Sequence, residues 1–302
     1  MNTPWGDLRV SDAHVHFFSH KFLELLGAQR QSTVGELEPL LGWEMPAVDP
    51  TAFAGRWVNE LDRHGVARAA LIASLPGDEF SVAAAIAAHP SRFFGYFLVN
   101  PLASGALATA EAALAAGLRG LCFFPAMHRY SMHDERAVAI LEMAAANGRA
   151  LAFVHCGVLS VGVRAKLGLP SPFDMRFSNP LDLHALALRY PKLPIVVPHF
   201  GAGMFREALM LCGLCPNVYL DTSSGNGWMK FQEGGCDLAS VFRRALAVAG
   251  ADRLLFGTDS SFFPRGWHRA VFDAQMGALS GIGIDETAAG KIFGGNLERI
   301  LC

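Results

Sequence analysis

Short apolar runs alternate with longer amphipathic stretches along the whole chain. Eight runs, at 8–13, 67–74, 93–99, 118–124, 150–154, 193–198, 217–221 and 253–257, are rich in Val, Ile, Leu or Phe. Most end at a polar residue or a Gly/Pro break, as strands covered on both faces do. Between them, 51–64, 80–89, 105–116, 135–147, 181–190, 238–249 and 267–279 carry helical spacing. Several close on helix stop signals: His64-Gly65, Ala116-Gly117 and Asn147-Gly148. Residues 285–302 read as one or two closing helices.

Eight strands in regular alternation with helices predict an α/β fold, a (β/α)8 TIM barrel, because a right-handed crossover repeated eight times closes a parallel sheet on itself. A doubly wound open sheet is the alternative. The first strand is not followed by G-x-G-x-x-G, which weighs against it. One domain over 1–302 accounts for the pattern, with no linker or low-complexity tract. Two connections are long: about 35 residues after strand one (17–50) and about 25 after strand five (156–180). A Gly-rich loop, Ser223-Ser224-Gly225-Asn226-Gly227-Trp228, follows strand seven. Long connections at the C-terminal ends of barrel strands build substrate pockets.

Composition adds constraints. The chain is 52% hydrophobic and 17% charged, which suits strands covered on both faces. With 25 Lys+Arg against 27 Asp+Glu, the charge balance offers no footprint for nucleic acid. The start, MNTPWGDLRV, does not read as a signal peptide, and no run of about 18 apolar residues suggests a membrane span. Six scattered cysteines, including the Cys212-Gly-Leu-Cys215 spacing at the end of an apolar helix pattern, read as free thiols of a cytoplasmic enzyme.

The sharpest local signal is Asp12-Ala13-His14-Val15-His16. Residues two apart on a strand share a face, so both imidazoles aim together. H-x-H alone is common by chance, but it has company. Strand five ends in Phe153-Val154-His155, strand six in Val197-Pro198-His199, and strand eight in Gly257-Thr258-Asp259. Four strand ends thus bring imidazoles and a carboxylate to the face where barrel active sites sit. That donor set suits Zn2+ or a similar first-row ion.

With those motifs the chain resembles the amidohydrolase-related proteins, in the branch that holds aminocarboxymuconate-semialdehyde decarboxylase and several lactone hydrolases. The resemblance spans essentially the whole chain. It adds His155-Cys156-Gly157, Pro198-His199-Phe200-Gly201, Tyr219-Leu220-Asp221-Thr222-Ser223 and the terminal 294–301 segment to the strand-one motif. It implies a barrel of the metal-dependent hydrolase type. His14, His16 and His155 would ligate one divalent ion, Zn2+ before Mn2+, and Asp259 would be the fourth ligand or bridge to its water. His199 would serve as acid/base or polarise the substrate. Asp221 would support the ligands or hold the strand end. Two-metal relatives carry a bridging lysine at the end of strand four; here Gly120-Leu121-Cys122-Phe123-Phe124-Pro125 has none, which implies one metal. Relatives are often dimers, so a homodimer is the assembly implied.

Two chemistries fit this set. A metal-activated water, with Asp259 moving its proton, would hydrolyse a small carboxylated lactone, ester or amide. The alternative is non-oxidative decarboxylation of an aromatic or muconate-type acid held on the metal. For a substrate carboxylate, Arg265, just behind Asp259, ranks before Arg129, Arg164 and Arg176. Trp43, Phe17, Phe18, Phe124, Trp228 and Phe262 are the candidates for an apolar pocket wall. His20, His128, His133 and His268 read as surface or supporting residues.

Overall fold

The computed structural model describes residues 1–224 and 226–302; Gly225 of the loop after the seventh strand lies outside the described residues. Eight parallel strands follow one another in chain order: β1 (Val10–His16), β2 (Val66–Ala73), β3 (Phe93–Val99), β4 (Gly120–Phe123), β5 (Leu151–Val154), β6 (Ile195–Val197), β7 (Val218–Asp221) and β8 (Leu254–Leu255). Backbone hydrogen bonds bring the first strand back to the last. Ala13 N donates to Phe256 O (2.8 Å), Asp259 N to His14 O (3.0 Å) and His16 N to Ser260 O (2.7 Å). The result is the predicted (β/α)8 barrel.

Why the strands read as unbroken apolar runs is visible in their burial. All seven residues of β3 are buried. Phe94, Tyr96 and Leu98 fill the barrel interior with Ile72, Cys122 and Phe153. Phe93, Phe97 and Val99 face the surrounding helices. Alternate side chains therefore meet two different apolar layers, so no polar period survives.

The helices begin and end on the expected chemistry. Pro50–His64 has Asp49 accepting from Thr51 N, Pro at its start and Gly65 at φ 69° after its end. Glu135–Asn147 and Leu238–Ala249 occupy the ranges their spacing predicts. The closing segment is Glu286–Gly290, a π-helical Lys291–Gly295 and Asn296–Leu301, with Leu297 and Leu301 joining the interior layer. Among the described residues no helix is long and apolar enough to cross a membrane. Cys212 and Cys215 are buried free thiols.

Two local differences matter for the site. β1 runs on through His16 rather than stopping at residue 13. Its register against β2 slips between Asp12↔Ala69 and Val15↔Leu71, one extra residue on β1, and such bulges re-aim side chains beside active sites. The long connection after β1 is also not structureless. It holds His20–Arg30, capped by Ser19, and Val34–Leu41, capped by Thr33 and Glu36. These pack Phe22, Leu26, Leu37 and Leu41 against Val163 and Leu167 of the connection after β5, giving a satellite core above the barrel mouth.

Candidate active site

Asp12 ties the two ends of the barrel together beneath the site. It is fully buried and accepts from His14 N (2.9 Å), Thr258 N (3.1 Å), Thr258 Oγ1 (2.5 Å) and Trp267 Nε1 (2.7 Å). Burial pushes its carboxyl up to about 6 despite those donors. β1 and the segment after β8 are thereby locked in one register, which places His14 and His16 opposite Asp259.

The two strand-one histidines are oriented by partners behind them. His14 Nδ1 lies 2.7 Å from Asp221 Oδ2 at the end of β7. Burial opposes the charge on Asp221, but the His14 imidazole outweighs it and holds the carboxyl below its ordinary value. An ionised carboxylate only accepts, so His14 carries its proton on Nδ1. His16 Nδ1 lies 2.7 Å from Ser74 Oγ, which itself donates to Ile72 O (3.1 Å) and so accepts from the ring. In the neutral rings both Nε2 atoms are therefore bare, and they face each other at 3.3 Å. Asp259 Oδ1 stands 3.2 Å from His16 Nε2 and 3.7 Å from His14 Nε2. Two lone pairs and a carboxylate oxygen converging on one point repel unless a cation stands among them. His14, His16 and Asp259 offer ligand atoms within 4.8 Å of one another, and the donor set fits a divalent first-row ion.

His155, directly after β5, and His199, two residues after the end of β6, line the same cavity. His155 is buried and its Nδ1 has no hydrogen-bond partner among the described residues, as a donor atom waiting for a ligand would be. Burial, with His199 and His14 nearby, holds its basicity well below the usual imidazole range. His199 sits at φ 55° in a left-handed turn that continues through Phe200 (φ 53°) and Ala202 (φ 43°). Strain of that kind is retained where the surrounding structure over-determines it, commonly at functional sites. Ser223 Oγ lies 2.9 Å from His199 Nδ1 and 2.9 Å from His14 Nδ1, joining the two rings.

Asp259 also adopts the left-handed region, at φ 58°, which aspartate tolerates better than most residues. Burial raises its carboxyl, but the His16 and His14 imidazoles, in the forms that carry a proton on Nε2, outweigh burial and hold it well below the carboxylate range. Two glycines make room for this arrangement. A Cβ on Gly257 would stand 2.9 Å from His14 Cβ and 3.0 Å from Asp221 Oδ1, and one on Gly157 would stand 2.0 Å from Gly201 O.

The cavity above has a volume of about 360 Å³. Arg265, Phe124 and Trp43 line it, as do Arg164, Phe18 and Phe262. Arg129 does not: it is exposed, and its Nε donates to Pro172 O (2.7 Å), because the short helix after β4 turns it away from the mouth. Arg176 pairs with Asp174 outside the cavity. Phe17 packs on Phe53, and Trp228 on Phe200 and Phe205, as core residues. Sequence reasoning had no signal for Ser74 beyond a polar residue closing strand two, or for Asp12, Ser223 and Trp267 as a supporting network.

A TIM-barrel protein from Bordetella bronchiseptica matches with a TM-score of 0.66 and 20% identity, over 97% of this chain and 98% of that one. A probable 2-pyrone-4,6-dicarboxylic acid hydrolase from Acinetobacter baumannii, solved with citric acid bound, matches at 0.62 and 15%, over 97% and 99%. An amidohydrolase from Burkholderia multivorans with bound zinc matches at 0.60 and 16%, over 97% and 99%. Likeness at these identities establishes the fold. Protein fluG of Emericella nidulans is 36% identical over 87 residues, 29% of this chain and only 10% of that protein's length. The family model described as Amidohydrolase matches residues 11–301, a span that takes in every ligand-type side chain above, and the chain belongs to that family.

Proposed function

We propose that the protein is a mononuclear metal-dependent hydrolase of a small carboxylated lactone, ester or amide. The observation that carries this is the convergence of His14 Nε2 and His16 Nε2, 3.3 Å apart, with Asp259 beside both. His14, His16 and Asp259 would hold the ion, with His155 as a further ligand, and zinc is the metal of choice for imidazole and carboxylate donors. The zinc-bound amidohydrolase of the same fold supports that choice. A divalent ion there supplies Lewis acidity and brings the pKa of water toward about 7.

The protein's own groups then divide the work. Asp259, kept ionised, takes the proton of the attacking water and returns it to the leaving group. His199 Nδ1 lies 3.3 Å from Ser223 O, which only accepts, and 2.9 Å from Ser223 Oγ, so Nδ1 carries the proton and Nε2 is left for acid/base work, donating to the oxygen of the carbonyl under attack once the ring is protonated. Arg265 stands at the cavity rim, its Nη2 on Asp259 O (3.2 Å) and Ser261 Oγ (2.8 Å), and receives a substrate carboxylate. The A. baumannii protein, described as a pyrone dicarboxylate hydrolase, lends this reading support from the same fold.

The test is incubation of zinc-loaded protein with panels of carboxylated lactones, esters and aromatic acids, following acid formation and CO2. Ring opening or ester cleavage that chelation abolishes and zinc restores supports the proposal. Release of CO2 as the sole chemistry overturns it in favour of a carboxy-lyase.

A further inference from the structure

The cavity has a roof made of two segments that reach across it from opposite sides. In a closed ring of eight strands in chain order, β1 and β5 stand across from each other. The connection after β1 supplies Phe22 and Leu26, and the connection after β5 supplies Leu159, Val163 and Lys166. His14, Ile72, Leu98 and His155, at the strand ends, form the floor of the same cavity. None of these four is more than 4% exposed, so the floor is almost closed to solvent.

The part contributed by the β5 connection is a strap. Its ends are fixed by backbone hydrogen bonds: Val158 N donates to Ala202 O (2.7 Å) and Asp174 N to Ala126 O (2.9 Å). Gly157, at φ 75°, stands at its start, and Arg129 Nε holds Pro172 O near its return. Across 159–173, among the described residues, every backbone hydrogen bond stays inside the segment, as in Leu167 N to Val163 O (3.1 Å) and Leu169 N to Arg164 O (2.9 Å). Side chains alone tie its middle to the helices His20–Arg30 and Val34–Leu41. Arg164 Nη1 donates to Gln29 Oε1 (2.6 Å), Lys166 Nζ to Leu41 O (3.0 Å) and Arg30 Nη1 to Leu167 O. Gln29, Arg30 and Lys166 are exposed, so water competes for each of these bonds. Val163 and Leu167 are the strap's two buried apolar residues, packed with Phe22, Leu26, Leu37 and Leu41. Fixed ends, no backbone tie in the middle and a small apolar contact describe a unit that opens locally while the barrel stays folded.

We propose that 159–173 is a gate: it lifts away from the two helices to admit a ligand to the cavity floor and is latched shut by Arg164, Lys166 and Arg30. The proposal concerns entry and holds whatever reaction follows. Its test is the rate at which a small thiol reagent, N-ethylmaleimide, reaches the floor of the zinc-loaded protein, followed by mass. With the two unburied cysteines replaced (Cys236→Ser and Cys302→Ser), Leu98→Cys places a thiol there. Ile72→Cys, on the neighbouring strand, gives an independent second reading. Each should react about a hundredfold slower than Cys302 does in the parent, because the open state is the minor one. Gln29→Ala removes one latch and should speed labelling about fivefold; Arg164→Ala with Lys166→Ala removes two and should speed it about twentyfold. Labelling of Cys122, buried inside the barrel, should stay unchanged. Floor thiols that react as fast as Cys302, latch variants that leave their rates unchanged, or an equal rise at Cys122 overturn the proposal. Turnover of a lactone or ester without any latch dependence of labelling would sink the gate and leave the hydrolase reading standing. Latch-dependent labelling without turnover would do the reverse.

Discussion

Replacing Asp221 by asparagine isolates the part of the site that prepares His14. Asp221 is fully buried, and each carboxylate oxygen has its own donor: Oδ1 accepts from Ser223 N at 2.6 Å and Oδ2 from His14 Nδ1 at 2.7 Å. Asparagine offers one acceptor and one donor group. If its oxygen faces His14, its NH2 opposes the Ser223 N–H, leaving a buried donor unsatisfied at a cost of about 1–3 kcal/mol. If its oxygen faces Ser223, its NH2 points at His14 Nδ1, which must then accept. The backbone N–H cannot give up its proton and the imidazole can, so the second arrangement wins. His14 then carries its proton on Nε2, aimed at the bare Nε2 of His16 only 3.3 Å away. The cation site is replaced by an internal hydrogen bond. Loss of such a supporting partner weakens metal binding about 10- to 100-fold, or about 1.4–2.7 kcal/mol. Competition for zinc against a chromogenic chelator measures this directly, with melting of the two metal-free proteins as the control for folding. Zinc affinity within twofold of the parent would refute the tautomer argument.

Asp259→Asn removes the proton carrier, and hydrolysis should fall about 10²- to 10⁴-fold in kcat/KM; full activity with any substrate the parent turns over rules out the proposed role. Gly257→Ala places a methyl against His14, Asp221 and Ser223, each 2.9–3.0 Å away, and should cost about 1–3 kcal/mol of stability and weaken zinc binding together. Urea unfolding and zinc titration unchanged from the parent would contradict it. Asp78, buried with Ser19 Oγ at 2.6 Å, has its carboxyl raised by burial from 3.8 to about 6. The folded state holds this proton longer than the unfolded chain, so its contribution to stability falls as pH rises from about 4 to about 6, by about 3 kcal/mol in all. Asp78→Asn should flatten that slope, and a parent-minus-variant stability difference that is the same at pH 4 and pH 7 would contradict it.

The barrel was legible along the chain, and the candidate ligand residues stood out in it as strand ends. Apolar runs of strand length, alternating with capped helical stretches, leave few other ways to bury both faces of eight strands, and His14, His16, His155, His199 and Asp259 announce themselves by ending those runs. Tertiary structure alone decided which atoms meet. The slip in β1, the left-handed turns at His199 and Asp259, and the Asp12 network under Thr258 and Trp267 depend on contacts that are distant in the chain, Asp12 and Thr258 being 246 residues apart. No local period records them. The same holds for Ser74, an ordinary strand-end serine until the fold brings it to His16, and for the stack that joins Phe18, Trp43 and Phe262. Arg129 and Arg265 look alike as loop arginines, but one turns out to Pro172 and the other in to the cavity. A side chain's type is written in the chain, whereas its direction depends on the backbone turn that carries it and on the neighbours that claim its hydrogen bonds.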